Sequence, residues 1–331
     1  MADDTFKALV LEERDDQVTS EIRDVRREEL PEGDTVVRVA YSALNYKDGL
    51  ALTGRNKVVR SYPMVPGIDF SGTVEETTLP EFTLGDRVVL TGWGVGERHW
   101  GGYAQFARVK SEWLVRLPQN IDLQHAMGLG TAGVTAMLCI LALEEHSLTP
   151  DKGDVLVTGA SGGVGGMAVA LLSALGYSVT ASTGRADAHE YLTSLGAKTI
   201  IDRDELTAQG GPLGSARWAG AVDTVGGETL AGVLRTLAYG ASVAACGNAG
   251  GAAVNTTVLP FILRGVNLLG IDSLPTPIGR RRIVWERLAQ LMPAEKLDRM
   301  MTVVRLGETP ALAIEILAGR TYGRIVVDVN A

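Results

Sequence analysis

Cysteine is scarce in this sequence, which contains only Cys139 and Cys246 among its 331 residues. The two cysteines are far apart along the sequence, and each lies in an apolar or glycine-rich stretch. The sequence therefore predicts neither a disulfide framework nor a cysteine metal site. We therefore expect a reducing, cytoplasmic compartment. The N-terminus lacks a basic stretch followed by an apolar run, and glycines or charges interrupt the apolar stretches elsewhere before about 18 residues. Neither a signal segment nor a membrane partner is predicted.

An excess of basic residues is missing as well. The sequence has 31 Lys and Arg against 39 Asp and Glu, which gives a formal net charge of −8. A surface for nucleic acid or for an anionic membrane needs a concentrated basic face, so neither is expected as a partner. A phosphate-bearing ligand must instead meet a local basic pocket.

The hydrophobic pattern indicates an α/β protein with two domains, because 331 residues exceed the roughly 250–300 at which single cores stop growing. About 120 N-terminal residues read as short strands bounded by Pro, Gly and Asp. A helical apolar period begins near Leu123. Strands and helices then alternate in DVLVTGA, GGVGGMAVALLSALG and YSVTAST, which predicts a doubly wound parallel sheet.

The most specific motif is VLVTGASGGVGG at residues 155–166. A β-branched strand runs into a glycine-rich turn and then into an apolar helix. Small residues are needed there because the turn is tight, backbone N–H groups approach a pyrophosphate, and the helix N-terminus adds partial positive charge. The motif predicts a dinucleotide-binding site, and a glycine-rich turn without a ligand is the less favoured alternative.

The end of the next strand indicates which nicotinamide cofactor is bound. An NAD site carries an Asp or Glu about 20 residues beyond the glycine turn, which accepts a hydrogen bond from the ribose 2′-OH. Here the strand ends in Ser182, Thr183, Gly184 and Arg185, so the acid is missing and a guanidinium is present. Hydroxyls and a guanidinium suit a 2′-phosphate, which predicts NADPH. Arg203, after the third strand, is either a second basic contact or a solvated loop charge.

Together these features resemble the medium-chain dehydrogenase/reductase superfamily over essentially the whole chain. The resemblance is carried by GIDFSGTV, GDRVVLTGWG, GGYAQFARV, GTAGVTA and GRIVVDV. It implies a β-rich, chaperonin-like (GroES-like) catalytic domain, residues 1–121 and 266–331, and a Rossmann domain, residues 122–265. More narrowly, LNYKD, TGWGVGERHWGG, HEYLTSLGA, DTVGG, PFILR and GIDS are similar to the YhdH/YhfP-type quinone oxidoreductase branch, whose characterised activity is acrylyl-CoA reductase.

The resemblance also argues against zinc. Zinc-containing alcohol dehydrogenases of this superfamily take one ligand from the Cys of a C-x-x-D segment and another from a Gly-His-Glu triplet. The corresponding segments here are NYKD at residues 45–48 and GID at residues 67–69. Asn45 and Ile68 thus stand where thiolate and imidazole would be, and two cysteines cannot build a four-cysteine structural site. No metal site is predicted.

Without a metal, the expected chemistry is hydride addition to a double bond conjugated to a thioester or ketone, which needs donors for the enolate oxygen and an acid for the α-carbon. The resemblance places Tyr46 at the reactive end of the cofactor, where its phenol either donates a hydrogen bond or proton or only packs on the ring. Asn45 and Asp69 are candidate orienting groups, and Asp48 is expected to hold the fold. The resemblance implies that the cofactor contacts Tyr46, Ser161, Gly162, Gly163, Val164, Thr183, Gly184, Arg185, Arg203, Asn248, Ile262, Ser273, Gly319 and Arg320.

The resemblance therefore implies NADPH-dependent reduction of acrylyl-CoA to propionyl-CoA. A quinone or general enone reductase is the alternative within enzymes. A non-catalytic NADPH-binding regulatory protein is the alternative outside them. The segment from ASVAACG to LLGID offers a candidate edge strand for a homodimer.

Overall fold

A computed structural model describes residues 5–208 and 210–331. Its strands are β1 Thr5–Arg14, β2 Gln17–Arg26, β3 Thr35–Leu44, β4 Asp69–Thr77, β5 Arg87–Thr91, β6 Phe106–Val109, β7 Val115–Arg116, β8 Asp154–Val157, β9 Ser178–Thr183, β10 Thr199–Asp202, β11 Trp218–Asp223, β12 Leu237–Ala245, β13 Asn267–Gly270, β14 Met301–Arg305 and β15 Arg324–Asp328. Its α-helices are α1 Tyr46–Leu52, α2 Leu123–Glu145, α3 Gly163–Ala174, α4 His189–Leu195, α5 Asp204–Thr207, α6 Gly227–Thr236, α7 Leu259–Arg264, α8 Ile278–Leu291, α9 Ala294–Asp298 and α10 Thr309–Leu317.

The chain divides into two compact units. The first comprises the chain as far as Val134 together with Leu274–Ala289 and Pro293–Ala331. The second comprises Thr135–Ser273 and Gln290–Met292. The domain boundaries suggested by the sequence, after residues 121 and 265, stay a prediction.

The first unit is rich in β-structure, as the short strand patterns indicated. Its larger sheet has the order β14-β15-β3-β4-β5-β7, with β6 also paired to β3, and β1 and β2 form an antiparallel ribbon of their own. Inward-facing side chains such as Val37, Val39 and Phe70 are fully buried and form its hydrophobic core. The antiparallel pairing of β3 with β4 sets the end of β3 beside the start of β4, so the residues after Leu44 and those around Asp69 lie in one region of this unit.

The second unit contains a six-stranded sheet of order β10-β9-β8-β11-β12-β13. Every neighbouring pair in it is parallel. In chain order this is the 3-2-1-4-5-6 arrangement of a dinucleotide-binding fold. Ligands of such sheets bind beyond the carboxyl ends of the strands, where the strand order reverses. Here that point lies between β8 and β11, so the predicted doubly wound parallel sheet is confirmed.

The long helix α2 is interrupted at Gly130, whose backbone angles of φ 47° and ψ −151° are not helical. By length and composition α2 could cross a membrane, although the sequence analysis expected glycines or charges to interrupt every such stretch. Most of this apolar stretch is buried inside the protein. Its apolar character is therefore explained by a core position, which also makes a helix hydrophobic around its whole circumference.

Candidate functional site

The predicted dinucleotide turn joins β8 to α3 in the second unit. Gly159 has a φ of +57°, and a Cβ there would lie 2.3 Å from the Thr224 hydroxyl oxygen. A Cβ on Gly165, in the first turn of α3, would lie 2.3 Å from the Gly159 carbonyl oxygen. The Ala160 N–H donates to the Ser182 carbonyl, which ties the turn to β9. Both glycines are thus needed for the turn to fold tightly against the helix, as the motif predicted.

The carboxyl end of β9 collects the residues predicted to meet a 2′-phosphate. The Ser161 and Thr183 hydroxyl oxygens are 3.3 Å apart, and the backbone N–H of Arg185 donates to the Thr183 hydroxyl oxygen. Arg203 approaches Gly184 so closely that a Cβ on this glycine would lie 2.6 Å from the Arg203 Nε. This approach follows from the pairing of Thr183 with the residue before Arg203 on β10. The structure therefore brings Arg203 to the predicted site.

The Arg185 guanidinium is bound within the protein in a way that the sequence analysis did not anticipate. Its Nε and Nη2 donate to the two carboxylate oxygens of Asp187 at 3.2 and 2.8 Å. Hydrogen bonding from Arg185 lowers the pKa of the Asp187 carboxyl. A phosphate at this position must therefore share Arg185 with Asp187.

The donor set at this end of the sheet fits a nucleotide that carries a 2′-phosphate. The Ser161 and Thr183 hydroxyls lie together, the Arg203 side chain packs on Gly184 and Arg185 is the next residue, while the strand end itself contributes no carboxylate. Backbone N–H groups at the start of α3 lie beside them, where the helix dipole favours negative charge. The predicted residues Ser161, Gly162, Gly163 and Val164 all lie in this turn and first helical turn.

Further along the same sheet, the ends of β12 and β13 border an open cavity of about 570 Å³. Its lining includes Asn248 and Asp272 but neither Ile262 nor Ser273. Ser273 follows Asp272 directly, whereas Ile262 lies on α7 with a side chain that is 67% exposed. The structure thus places Asn248 at a cavity and leaves the predicted cofactor contacts of Ile262 and Ser273 as predictions.

Gly319 and Arg320 follow α10 in the first unit. The Arg320 Nε and Nη2 donate to the Glu315 carboxylate at 2.6 and 2.7 Å, one helical turn earlier. Gly319 has a φ of +67° and ends the helix in the left-handed conformation. Their predicted role at the cofactor stays a prediction.

The candidate catalytic residues Asn45, Tyr46 and Asp69 lie in the first unit, together with Asp48. Tyr46 begins α1, and its side chain is about half exposed. Asn45 immediately precedes the helix, and its Nδ2 donates to the carboxylates of both Asp48 and Asp69 at 3.1–3.2 Å. Asp48 also accepts hydrogen bonds from the backbone N–H groups of Asn45, Gly67 and Ile68. Asp48 therefore joins α1 to the loop before β4, which is the structural role expected of it.

Sequence reasoning missed Arg324, which completes this network. Its Nη1 donates to the Asn45 Oδ1 at 3.0 Å, and its Nε donates to the Gly128 carbonyl at 3.0 Å. Only 4% of Arg324 is exposed. The signal was the Arg of GRIVVDV, a charge directly before three apolar residues of a strand, but nothing in the sequence indicated its partner 279 residues away.

The two carboxyl groups of the network are fully buried, which changes their acidity. Burial raises the pKa of Asp48 to about 7, and the nearby charge of Asp69 adds to this rise. Burial also raises the pKa of Asp69, while Arg324 and the hydrogen bonds from Thr131 act in the opposite direction. The pair therefore keeps a proton at a higher pH than exposed aspartates do.

Within residues 5–208 and 210–331, no group of three or more His, Cys, Asp or Glu side chains is arranged to hold a metal ion. At the two positions that correspond to zinc ligands, Asn45 is occupied by the hydrogen bonds described above and Ile68 is buried. What these side chains offer is a hydrogen-bonded network rather than a ligand set.

Comparison with known proteins gives two family matches. Residues 31–119 match the alcohol dehydrogenase GroES-like domain, and residues 163–293 match the zinc-binding dehydrogenase family. The chain is 53% identical over 329 residues to the acrylyl-CoA reductase AcuI of Ruegeria pomeroyi, and the alignment covers 98% of this chain and all of that protein. The two matched domains agree with the predicted fold class, a GroES-like domain together with a Rossmann domain.

Solved structures agree with this relationship. The YhdH oxidoreductase from Salmonella enterica in complex with NADP has a TM-score of 0.95 at 51% identity, over 97% of this chain and 99% of that one. The Bacillus subtilis protein YhfP with NAD bound has a TM-score of 0.94 at 46% identity, over 98% and 99% of the two chains. This chain therefore belongs to the medium-chain dehydrogenase/reductase superfamily and, within it, to the AcuI/YhdH family.

Proposed function

We propose that this chain catalyses the NADPH-dependent reduction of acrylyl-CoA to propionyl-CoA without zinc. The observation that carries the proposal is the buried network of Asn45, Asp48, Asp69 and Arg324, which holds the start of α1 and therefore Tyr46 without a metal ligand. Membership in the AcuI/YhdH family supports the substrate, because a relative with 53% identity over the full chain is an acrylyl-CoA reductase.

The second unit binds the cofactor in this proposal, and NADPH supplies the hydride when bound. The turn at Gly159–Gly163 and the N-terminus of α3 meet the pyrophosphate through backbone N–H groups. Thr183, Arg185 and Arg203 receive the 2′-phosphate, because they offer a hydroxyl and two guanidinium groups at one strand end. NADP bound to the Salmonella YhdH protein supports this preference.

The reaction adds hydride to the β-carbon of the conjugated thioester. The π electrons of the C=C bond shift toward the carbonyl group, and its oxygen becomes the negatively charged oxygen of an enolate. A proton then adds to the α-carbon. A donor placed at that oxygen stabilises the transition state more than the substrate. We assign this donor role to Tyr46, because its side chain is half exposed at the start of α1.

Asn45 and Asp69 act indirectly in this proposal. They are 8% and 0% exposed, and their polar atoms bind one another, Asp48, Arg324 and the backbone. Side chains so placed are poor candidates for contact with substrate but hold a neighbouring group within a narrow range of positions. Their contribution is therefore to orient Tyr46.

The test is NADPH oxidation with acrylyl-CoA, crotonyl-CoA, free acrylate and a benzoquinone at matched concentrations. The β-methyl of crotonyl-CoA makes the β-carbon less electrophilic and adds a group to be accommodated, which is worth about 1–3 kcal/mol. We expect kcat/KM to fall at least roughly tenfold with crotonyl-CoA. Free acrylate should react very slowly, because it lacks the CoA group that contributes binding energy.

Two outcomes would replace this assignment. Fastest turnover with the quinone or crotonyl-CoA would favour the quinone or general enone reductase. Tight NADPH binding without turnover of any of the four compounds would favour a non-catalytic NADPH-binding protein.

We further propose a cytoplasmic homodimer that takes NADPH and the acyl-CoA substrate as its small-molecule ligands and has no nucleic-acid or membrane partner. β13 is the edge of the parallel sheet, and the side chains of Leu268 on it and of Ile262 and Leu263 on α7 are exposed. An exposed edge strand with apolar neighbours is suited to pairing with a second copy. Light scattering after size-exclusion chromatography should give twice the chain mass, and a monomer at all concentrations would refute the dimer.

Cys139 and Cys246 are free thiols, which supports the proposed reducing, cytoplasmic compartment.

A further inference from the structure

Arg324 lies at the first position of β15, where the sequence pattern gives it no function. Its side chain is buried, and its guanidinium spans three separate parts of the first unit: β15 itself, the first half of α2 and the residue before α1. A planar guanidinium suits such a position because its donors point in fixed, divergent directions, which an ammonium group cannot reproduce.

The interruption of α2 supplies the first anchor of Arg324. Since Gly130 is not helical, the helical hydrogen bonding of the preceding turn ends there, and the carbonyls of Gly128 and Met127 accept from the Arg324 Nε and Nη2. A Cβ on Gly130 would lie 2.7 Å from the Asp69 Oδ2 and 2.9 Å from the Arg324 Nη2. Glycine is therefore required at this break both for its φ and for the space that the two charged groups occupy.

The second anchor is the carboxamide of Asn45. Its oxygen accepts from Arg324, so its nitrogen must face the other way, toward Asp48 and Asp69. Asp48 in turn accepts from the Asn45 backbone N–H, in the first turn of α1. Arg324 thus determines which way the amide points, and the amide links both carboxylates to the start of the helix.

We infer that Arg324 is a positioning residue that fixes the Asn45 amide and, through it, the N-terminus of α1 and the place of Tyr46. The catalytic part of this inference rests on the proposed function. The structural part does not, because it concerns only contacts within the first unit. The two parts are therefore tested by separate measurements.

The structural part is tested by hydrogen exchange of the full-length protein without substrate. Arg324→Lys keeps the positive charge beside Asp69. Its single ammonium group cannot donate to both the Gly128 carbonyl and the Asn45 carboxamide oxygen, as the guanidinium does. We expect amides of α1 to exchange at least about tenfold faster, as for a lost hydrogen bond to a charged group. Arg299→Met, at an exposed arginine of the same C-terminal segment, is the matched control and should leave α1 unchanged.

Asn45→Ala breaks the same link at its other end and should loosen α1 in the same way. It keeps Arg324 beside Asp69, so it still tests whether the link between Arg324 and Asn45 fixes the start of α1 if Arg324→Lys fails to fold. Unchanged exchange of α1 in a folded Arg324→Lys protein, or in Asn45→Ala, would overturn the inference.

The catalytic part is tested by a double-mutant cycle of Arg324→Lys with Tyr46→Phe. We expect kcat with acrylyl-CoA to fall at least about tenfold in Arg324→Lys, while the Kd for NADPH stays within about twofold. If Arg324 acts through Tyr46, removing the Tyr46 hydroxyl must cost less in the Arg324→Lys background than in the unaltered protein. Additive losses would overturn this part. An unaltered protein that does not turn over acrylyl-CoA refutes the proposed function instead, and hydrogen exchange still decides the role of Arg324.

Discussion

Replacing Arg185 with Ala tests how this chain distinguishes NADPH from NADH. Arg185 lies two residues after the end of β9, where its backbone N–H binds the Thr183 hydroxyl and the Arg203 side chain packs on Gly184. NADPH carries a 2′-phosphate to this strand end and NADH carries a hydroxyl. Loss of the guanidinium should therefore weaken NADPH binding and leave NADH binding almost unchanged.

The magnitude follows from the two partners that compete for Arg185. A hydrogen bond to a charged group contributes about 1.5–3 kcal/mol. Binding a phosphate disturbs the existing pair with Asp187, whose side chain is 62% exposed, so water screens that pair and it offsets only a small part of this gain. Arg185→Ala is therefore expected to raise the Kd for NADPH roughly 10- to 100-fold.

Asp187→Asn is the matched counterpart. It removes the competing carboxylate charge and keeps the size of the side chain, so it should tighten NADPH binding by up to about fivefold. Fluorescence titration of the purified protein with each cofactor measures all three proteins. Equal affinities for NADPH and NADH in the unaltered protein, or equal weakening of both by Arg185→Ala, would refute the reasoning.

Three further predictions concern the turn, a histidine and the metal. Gly165→Ala should abolish measurable NADPH binding, because its Cβ would meet backbone atoms 2.3 and 2.7 Å away, whereas Gly279→Ala, which meets nothing within 4 Å, should bind normally in the same titration. Burial lowers the pKa of His125, but hydrogen bonds to Asp298 and Asp122 outweigh it and raise that pKa overall. The protonated imidazole therefore contributes its full share to the free energy of unfolding below the unfolded-state pKa of about 6.5, and this share disappears as pH rises through the higher folded-state pKa. In urea titrations, His125→Gln should lower the free energy of unfolding more at about pH 5.5 than at about pH 8. Exhaustive chelation should leave turnover unchanged, and a stoichiometric zinc ion whose removal stops turnover would contradict the zinc-free reaction.

Much of the cofactor unit could be predicted from sequence because its determinants are local. The strand, glycine turn and helix around residues 154–174 follow one another directly, and alternating segments led to the parallel sheet that the structure contains. The absence of an acid at the end of β9 itself, Ser182–Gly184, is likewise visible within a few residues. The pairing of Arg185 with Asp187 was missed although it is local, because side-chain direction does not follow from residue type.

The sequence by itself determined the fold class, the dinucleotide turn and the residue types available for a 2′-phosphate, because each depends on periodicity or on neighbouring residues. Only the tertiary structure decided which distant side chains meet. It packs Arg203 against Gly184, and it joins Arg324 to Asn45 across 279 positions of the chain. Such contacts depend on sheet order and on the break of α2 at Gly130, and neither leaves a local pattern around the residues that they bring together. A buried arginine is recognised as a bridge only when the carbonyl and amide oxygens that accept its hydrogen bonds are in place.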